Sequence, residues 1–192
     1  DELAFPGLTT DGGFAEYLLT NERAVIPLEG VDPVDIAPHA DAGITAYHAA
    51  KKAVAELVPG DYAVLVGIGG LGHIGLQAID AMSAAQTIAV DVKDEALSLA
   101  ERLGADHTVN SADEDVAEAV DAITDGVGAR QTLDFVGSDG TTEMGPDLLA
   151  AGGDHHVVGY GGHVHEPSQA LVDGEMSLRG TLVGEYTELQ EL

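Results

Sequence analysis

The sequence contains no cysteine and no apolar stretch long enough to cross a bilayer. Without cysteine, neither a disulfide nor a cysteine-ligated metal site can form within the chain. A transmembrane helix needs about 20 consecutive apolar residues, and the acidic start Asp1-Glu2 lacks the positive charge of a signal peptide. We therefore expect a soluble, cytoplasmic protein that makes no contact with a membrane.

Basic residues are also scarce. Only 7 lysines and arginines face 34 aspartates and glutamates, which gives a formal net charge of −27. Such a surface repels phosphates, so the charge excludes general binding to nucleic acid or to an anionic membrane. Surface acids can simply keep a protein soluble, but we favour adaptation to very high salt, where screening removes the self-repulsion of the acids. The second interpretation predicts unfolding at low salt.

The length and composition are those of a folded protein with one main domain. A chain of 192 residues that is 45% hydrophobic can bury one substantial core. It begins without methionine, and the two earliest β-type runs, 14–19 and 24–28, are too short to close a core of their own. We expect the chain to be a piece of a longer protein.

A glycine-spaced turn is the most informative segment. The apolar run Tyr62–Val66 leads directly into Gly67-Ile-Gly-Gly-Leu-Gly72, in which Gly67, Gly69 and Gly72 have the spacing G-x-G-x-x-G, and a helical pattern follows. The first glycine permits a tight turn, the second lets the backbone approach phosphate, and the third lets the helix pack closely on its strand. Amides at a helix start face an anion, so the turn predicts a dinucleotide pyrophosphate site.

An acid stands where a ribose-binding carboxylate is expected. Asp91 ends the next apolar run and lies 19 residues after Gly72. A carboxylate there accepts hydrogen bonds from the ribose hydroxyls and repels a 2′-phosphate, which favours NAD over NADP. Lys93, two residues further on, would relax that preference. The competing interpretation is an acid that merely ends a strand in an acid-rich chain.

The alternation of β-type and helical segments predicts an α/β fold. We expect a helix from Ile44 to Leu57, stopped by Pro59-Gly60. Strands are expected at 62–67, 86–91, 106–109, 130–136, 154–159 and 178–183, and helices at 71–84, 94–103, 113–124 and about 140–150. Six strands joined by crossovers imply a doubly wound parallel sheet of the Rossmann type, with its ligand at the carboxyl ends of the strands.

Several residue strings occur together in the order of one known family. They are Asp11-Gly-Gly-Phe-Ala-Glu-Tyr17, Asp41-Ala-Gly-Ile-Thr-Ala-Tyr-His48, Gly67-Ile-Gly-Gly-Leu-Gly72, Val90-Asp91, Leu103-Gly-Ala-Asp106, Asp134-Phe-Val-Gly137 and Val157-Val-Gly159. On these strings, the chain resembles the medium-chain, zinc-dependent alcohol dehydrogenases, in particular secondary-alcohol dehydrogenases of halophilic type.

The resemblance implies a division of the chain into three parts. Residues 1–42 correspond to a fragment of a GroES-like β catalytic domain, residues 43–183 to the NAD-binding Rossmann domain, and residues 184–192 to the start of a return to the catalytic domain. Most zinc ligands of that family lie outside these parts, so we expect the chain to be inactive by itself.

The resemblance also assigns site residues near the metal and the nicotinamide. Asp41 stands where the family places its last catalytic zinc ligand, and Thr45, one turn onward, where a residue packs the nicotinamide ring at the catalytic face. Leu71 corresponds to the apolar residue behind the nicotinamide. From the residues alone, Asp41 is better explained as an acid at a helix start, and the flanking Ala-Gly-Ile-Thr string is what favours zinc ligation. The alternative for Thr45 is a threonine that bonds its own backbone.

The remaining cofactor residues follow the same resemblance. Gly70 joins the other glycines of the pyrophosphate turn, Val136 lies in the adenosine-side wall, and Val158 and Gly159 belong to the segment whose backbone holds the carboxamide. For Val136, Val158 and Gly159, ordinary packing at strand ends is the alternative.

The resemblance implies zinc-assisted hydride transfer between a small alcohol or carbonyl compound and NAD, in a homodimer or homotetramer. A polyol, sugar or threonine dehydrogenase is a close alternative, and a zinc-free quinone reductase a more distant one. From a different class, a stand-alone NAD-binding regulatory module would bind NADH without alcohol turnover.

Other motifs carry less weight. Tyr47 and Lys51 have the Y-x-x-x-K spacing of short-chain dehydrogenases but lie upstream of the glycine turn, so we regard the match as accidental. The pairs His155-His156 and His163-x-His165 suggest a metal site, but solvated loop histidines are the interpretation we favour.

Three further segments are interpreted as surface features. We place His48 toward solvent or a domain cleft, and His73 either on a helix surface or against phosphate. The acidic run Asp113-Glu114-Asp115 is expected on the solvated face of a helix.

Overall fold

The computed structural model describes residues 6–28 and 30–192. These fall into two compact units that divide between Asp35 and Ile36. The first unit contains a short 3-10 helix, Glu22–Ala24, an isolated bridge between Pro6 and Thr10, and the start of helix α1, Pro33–Ile36.

The β-type runs at 14–19 and 24–28 do not form strands, so this part of the sequence prediction was wrong. Alternating apolar residues form a strand only where a neighbouring strand completes the hydrogen-bond ladder. The described residues of this unit supply no such neighbour. Phe14 and Leu19 are fully exposed as a result.

The second unit is built on a six-stranded sheet in which every pairing is parallel, in the order β3-β2-β1-β4-β5-β6. The strands are β1 Tyr62–Val66, β2 Gln86–Asp91, β3 His107–Asn110, β4 Ala129–Asp134, β5 Leu149–Val157 and β6 Ser177–Gly180. This confirms the predicted doubly wound α/β fold. The largest difference in bounds is β5, which begins five residues earlier than the predicted 154–159.

Helices connect and flank the strands. After the 3-10 helix Ala37–Ala40, they are α2 Ala42–Val54, α3 Gly72–Met82, α4 Asp94–Arg102, α5 Val116–Ile123, α6 Asp139–Asp147, α7 Ser168–Gly174 and α8 Tyr186–Glu191. Neither α7 nor α8 was predicted, because each is too short for a clear helical period. Within the described residues, no helix is both long and apolar enough to cross a membrane.

The predicted helix over 113–124 begins later than expected, at Val116. Asp115 caps it, because its carboxylate accepts a hydrogen bond from the Glu118 amide at 3.1 Å. Asp113 and Glu114 are exposed in the preceding turn, so the acidic run is solvated but does not lie on a helix face.

The sheet is covered on both faces. Helices α2, α3 and α4 pack in the core on one face, and α5 and α6 pack in the core on the other. The central strand β1 is therefore apolar from Ala63 to Val66 and almost fully buried, as expected for a parallel sheet. The strand order reverses between β1 and β4. A crevice forms there at the carboxyl ends of the two strands, and α/β proteins of this type bind their ligands in it.

Candidate functional site

Two glycines of the turn after β1 are required by the fold. Gly67 has φ +86°, which glycine adopts at no steric cost, and a Cβ there would lie 2.5 Å from Val136 Cγ2. A Cβ on Gly72 would overlap the carbonyl oxygen of Gly67. Gly67 therefore lets the turn pack against the loop after β4, and Gly72 lets the start of α3 approach the backbone of Gly67.

The middle of the turn is open. A Cβ on Gly69 or Gly70 would meet no atom within 4 Å. In the part of the chain that the structure describes, the amides of Gly69, Gly70 and Leu71 donate no hydrogen bond, whereas the Gly75 amide already bonds to Leu71 O at 2.9 Å. Open space beside free amides at a helix start suits a phosphate group, so the turn fits the predicted pyrophosphate.

Asp91, at the end of β2, is tied to this turn. Its Oδ2 accepts a hydrogen bond from the Ile68 amide at 2.7 Å, and its Oδ1 accepts one from the Lys93 amide at 3.0 Å. A carboxylate has about four acceptor sites. Asp91 therefore braces the turn and still has acceptor sites for ribose hydroxyls.

The loops after β4 and β5 lie backbone against backbone. A Cβ on Gly137 would overlap Gly159, and a Cβ on Gly159 would overlap Val136. Val136 is 46% exposed, whereas Val158 is 8% exposed and packs in the core. The amides of Val158 and Gly159 both donate to Asp134 O at 2.9 Å, so only their carbonyl groups remain for a ligand.

Asp134 organises this corner, and sequence reasoning did not single it out. It is fully buried, and its Oδ1 accepts hydrogen bonds from the Val136 and Gly137 amides at 2.9 Å each. The available signal was an acid at the end of an apolar strand directly before Gly137, a position that resembles Asp91 at the end of β2.

Asp41 and Thr45 lie at the start of α2. The exposed carboxylate of Asp41 makes no capping hydrogen bond, although Asp41 is the residue that precedes the helix. The Thr45 hydroxyl donates to Asp41 O at 2.7 Å, which is the backbone bond that the alternative interpretation expects. Leu71 precedes α3 and packs in part against the core.

The described residues do not form a complete metal site. Nowhere among them do three histidine, aspartate or glutamate side chains converge as metal ligands would. Catalytic zinc requires three protein ligands, so Asp41 accounts for one ligand at most.

His155 and His156 are not solvated, contrary to the sequence-based interpretation. They are adjacent in β5, point to opposite faces of the sheet, and are both fully buried. His155 Nδ1 lies 2.7 Å from Thr132 Oγ1, and His156 Nε2 lies 2.9 Å from Gln131 Oε1. Burial lowers the pKa of both histidines, and that of His156 to about 4.

The second histidine pair is exposed, as predicted. His163 and His165 stack with ring centroids 5.7 Å apart, and His163 Nδ1 lies 3.1 Å from Asp139 Oδ1. His73 is half-buried at the start of α3, where its Nδ1 donates to Gly69 O at 2.6 Å. The phosphate contact considered for His73 stays a prediction.

The remaining candidates on α2 are engaged by α8. His48 is largely covered from solvent, and its Nδ1 lies 2.8 Å from a carboxylate oxygen of the buried Glu188; its place at a domain cleft stays a prediction. The Tyr47 hydroxyl and the Lys51 ammonium both bond to Glu191. Burial and the bond to Glu191 raise the pKa of Tyr47, which opposes the proton transfer that the Y-x-x-x-K spacing suggests.

Comparisons with known proteins agree with this geometry. The sequence profile of the family described as zinc-binding dehydrogenase matches residues 70–192. An NAD-dependent alcohol dehydrogenase of Sulfurisphaera tokodaii is 34% identical over 185 residues, which are 95% of this chain and 53% of the relative. The chain thus spans about half the length of the curated relatives it matches.

Solved structures give the same result. The crystal structure of the alcohol dehydrogenase from Aeropyrum pernix is similar with a TM-score of 0.93 and 48% identity, over 98% of this chain and 56% of that one. The D-arabinose dehydrogenase from Sulfolobus solfataricus has a TM-score of 0.86 and 29% identity, over 98% of this chain and 59% of that one.

Proposed function

The chain belongs to the zinc-binding dehydrogenase family, and from this premise we propose that it is the cofactor-binding part of an NAD-dependent alcohol dehydrogenase. The observation that carries the proposal is the open turn at Gly69 and Gly70, with its free amides beside the anchored carboxylate of Asp91. The reaction would be hydride transfer between a small alcohol or carbonyl compound and NAD.

Each part of the cofactor has a proposed partner. The amides of Gly69 to Leu71 would bind the pyrophosphate, and Asp91 the adenosine ribose. Val136, which is half exposed beside Gly67, would contact the adenosine. The free carbonyl groups of Val158 and Gly159 suit an amide donor such as the nicotinamide carboxamide.

The nicotinamide ring is assigned to two residues near the strand ends. Leu71 would pack behind it, and Thr45 would contact its catalytic face. The Thr45 hydroxyl already donates to the helix backbone, so we expect its methyl group to pack on the ring.

We propose Asp41 as one zinc ligand. Its carboxylate is exposed and free of a capping bond, and a carboxylate oxygen is an acceptable ligand for zinc. The described residues offer no complete ligand set, so we expect the other zinc ligands to come from residues outside them.

A sugar or polyol dehydrogenase is the second candidate. The D-arabinose dehydrogenase shares the fold of this chain over 98% of its length. An assay of the active protein with secondary alcohols and with pentoses, each with NAD, would separate the two functions.

Association of two copies through β6 is part of the proposal. This short strand lies at the edge of the sheet, and two apolar residues that flank it in the sequence, Val172 of α7 and Leu182, are each 73% exposed. An open edge beside apolar side chains favours pairing with a second sheet. A homodimer or homotetramer would cover these groups.

We also propose a halophilic protein that works in the cytoplasm, where the reaction would draw on cellular NAD. Among the described acids only Asp134, Asp154 and Glu188 are buried, so nearly all of the negative charge faces solvent and depends on screening by salt.

Fluorescence titration of the chain with NADH tests the proposed function. We expect saturable binding in molar KCl, weaker binding of NADPH, and loss of affinity in Gly70→Ala. Absence of NADH binding by the folded chain would contradict the proposal. Alcohol turnover by an assembled protein containing this chain separates an enzyme from a regulatory NAD-binding module.

A further inference from the structure

A short segment after β6, residues 181–184, packs against α2. The Thr181 amide donates to Val157 O at 3.0 Å, which ties the segment to the end of β5. Val183 has φ +46°, a conformation in which a β-branched residue is strained. Such a conformation persists only where the surroundings enforce it.

The contact with α2 is made at Gly184. A Cβ there would lie 2.7 Å from Ile44 Cγ1, 3.0 Å from Glu188 Oε2 and 3.1 Å from His48 Cβ. The backbone of the segment is therefore pressed directly against the helix that begins after Asp41.

Glu188 secures this contact from α8. It is 6% exposed, and its Oε2 accepts the Glu185 amide at 2.8 Å and lies 2.8 Å from His48 Nδ1. Lys51 Nζ is 4.0 Å from its other oxygen. Burial alone would raise the pKa of Glu188, but the bonds from His48 and Glu185 outweigh burial and lower the pKa.

We propose that Glu188 and His48 form a positioning pair that holds residues 181–184 against α2, and thereby shapes the nicotinamide end of the cofactor site. The inference rests on the proposed function. Asp91 on β2 marks the adenosine end, and Val158 and Gly159 after β5 mark the nicotinamide end. In the sheet order, β6 is next to β5, and three strands lie between β6 and β2. We therefore expect the pair to affect the nicotinamide end alone.

The test compares two probes, NADH and ADP-ribose, the second of which lacks the nicotinamide. In Glu188→Ala and in His48→Ala, we expect the Kd for NADH to rise about tenfold and the Kd for ADP-ribose to change less than about twofold. His48→Gln keeps a hydrogen-bond donor and should restore NADH binding to near the wild-type value. A variant that no longer folds would instead lose affinity for both NADH and ADP-ribose.

Glu191→Gln is the matched control, because Glu191 lies on the same helix and pairs with Lys51 on α2 but is exposed. Its Kd for both probes should stay at the wild-type value. If Glu188→Ala is unfolded, as judged by circular dichroism in molar KCl, the His48 variants decide. If the folded Ala variants bind NADH like the wild type, the positioning role of Glu188 and His48 is wrong but the proposed function stands. If the wild type binds neither NADH nor ADP-ribose, the proposed function is wrong as well.

Discussion

Asp91 accepts a hydrogen bond from the Ile68 amide at 2.7 Å, so the carboxylate predicted to bind ribose also braces the glycine turn. The two tasks can be separated because an asparagine keeps one acceptor oxygen. We expect Asp91→Asn to weaken NADH binding by about tenfold with a small change in stability. Asp91→Ala should in addition lower the free energy of unfolding by about 1–3 kcal/mol, because it leaves the amide unpaired.

Titration with NADH and chemical unfolding measure the two effects of Asp91. NADH affinity in Asp91→Asn equal to that of the wild type would show that the carboxylate is only a brace.

The glycines of the turn should divide into two groups. Gly70→Ala meets no neighbouring atom, so it should leave the melting temperature unchanged, but its methyl group would occupy the proposed phosphate space and reduce NADH affinity more than about tenfold. Gly72→Ala collides with Gly67 O and should destabilise the fold by about 2 kcal/mol or more. Equal NADH affinity in Gly70→Ala and the wild type would refute phosphate binding at the turn.

Stability should depend strongly on salt. With a net charge of −27, mutual repulsion destabilises the compact state in dilute buffer, and screening removes it. We expect the melting temperature, followed by circular dichroism, to rise steeply from dilute buffer to molar KCl. The same melting temperature at both salt concentrations would remove the argument for halophilic adaptation.

Mild acid should destabilise the fold through its buried histidines. Burial lowers the pKa of His156 to about 4 from an ordinary value of 6.5, so between these pH values the unfolded chain binds a proton that the folded chain does not. The stabilisation is complete above the ordinary pKa and is lost as pH falls toward 4, by about 3 kcal/mol for this residue. Urea unfolding at a series of pH values in molar KCl measures the slope.

His156→Gln should flatten the dependence of unfolding free energy on pH, and the exposed His165→Gln should leave it as in the wild type. Equal slopes in His156→Gln and the wild type would show that another group is responsible.

Local sequence patterns predicted those parts of the site that one short segment builds. The turn at 67–72 and the acid at position 91 are set by glycine spacing and strand length, and the structure places both at the crevice beside β1. The partners of His48 and His155 were not predicted, because they come from distant segments. His48 is covered by α8, which is 140 residues away in sequence, and His155 is packed under Gly145 of α6.

The sequence by itself determined the parallel α/β sheet, the open glycine turn and the family. These depend on periodicity and on backbone freedom, which a short window of residues carries. Only the tertiary structure decided that Asp134 joins the two loops, that β5 buries two histidines, and that Glu188 lies against both Gly184 and His48. The free energy of burying a polar group depends on whether it finds a hydrogen-bond partner. That partner belongs to a segment that is distant in the sequence, so a local pattern does not reveal it.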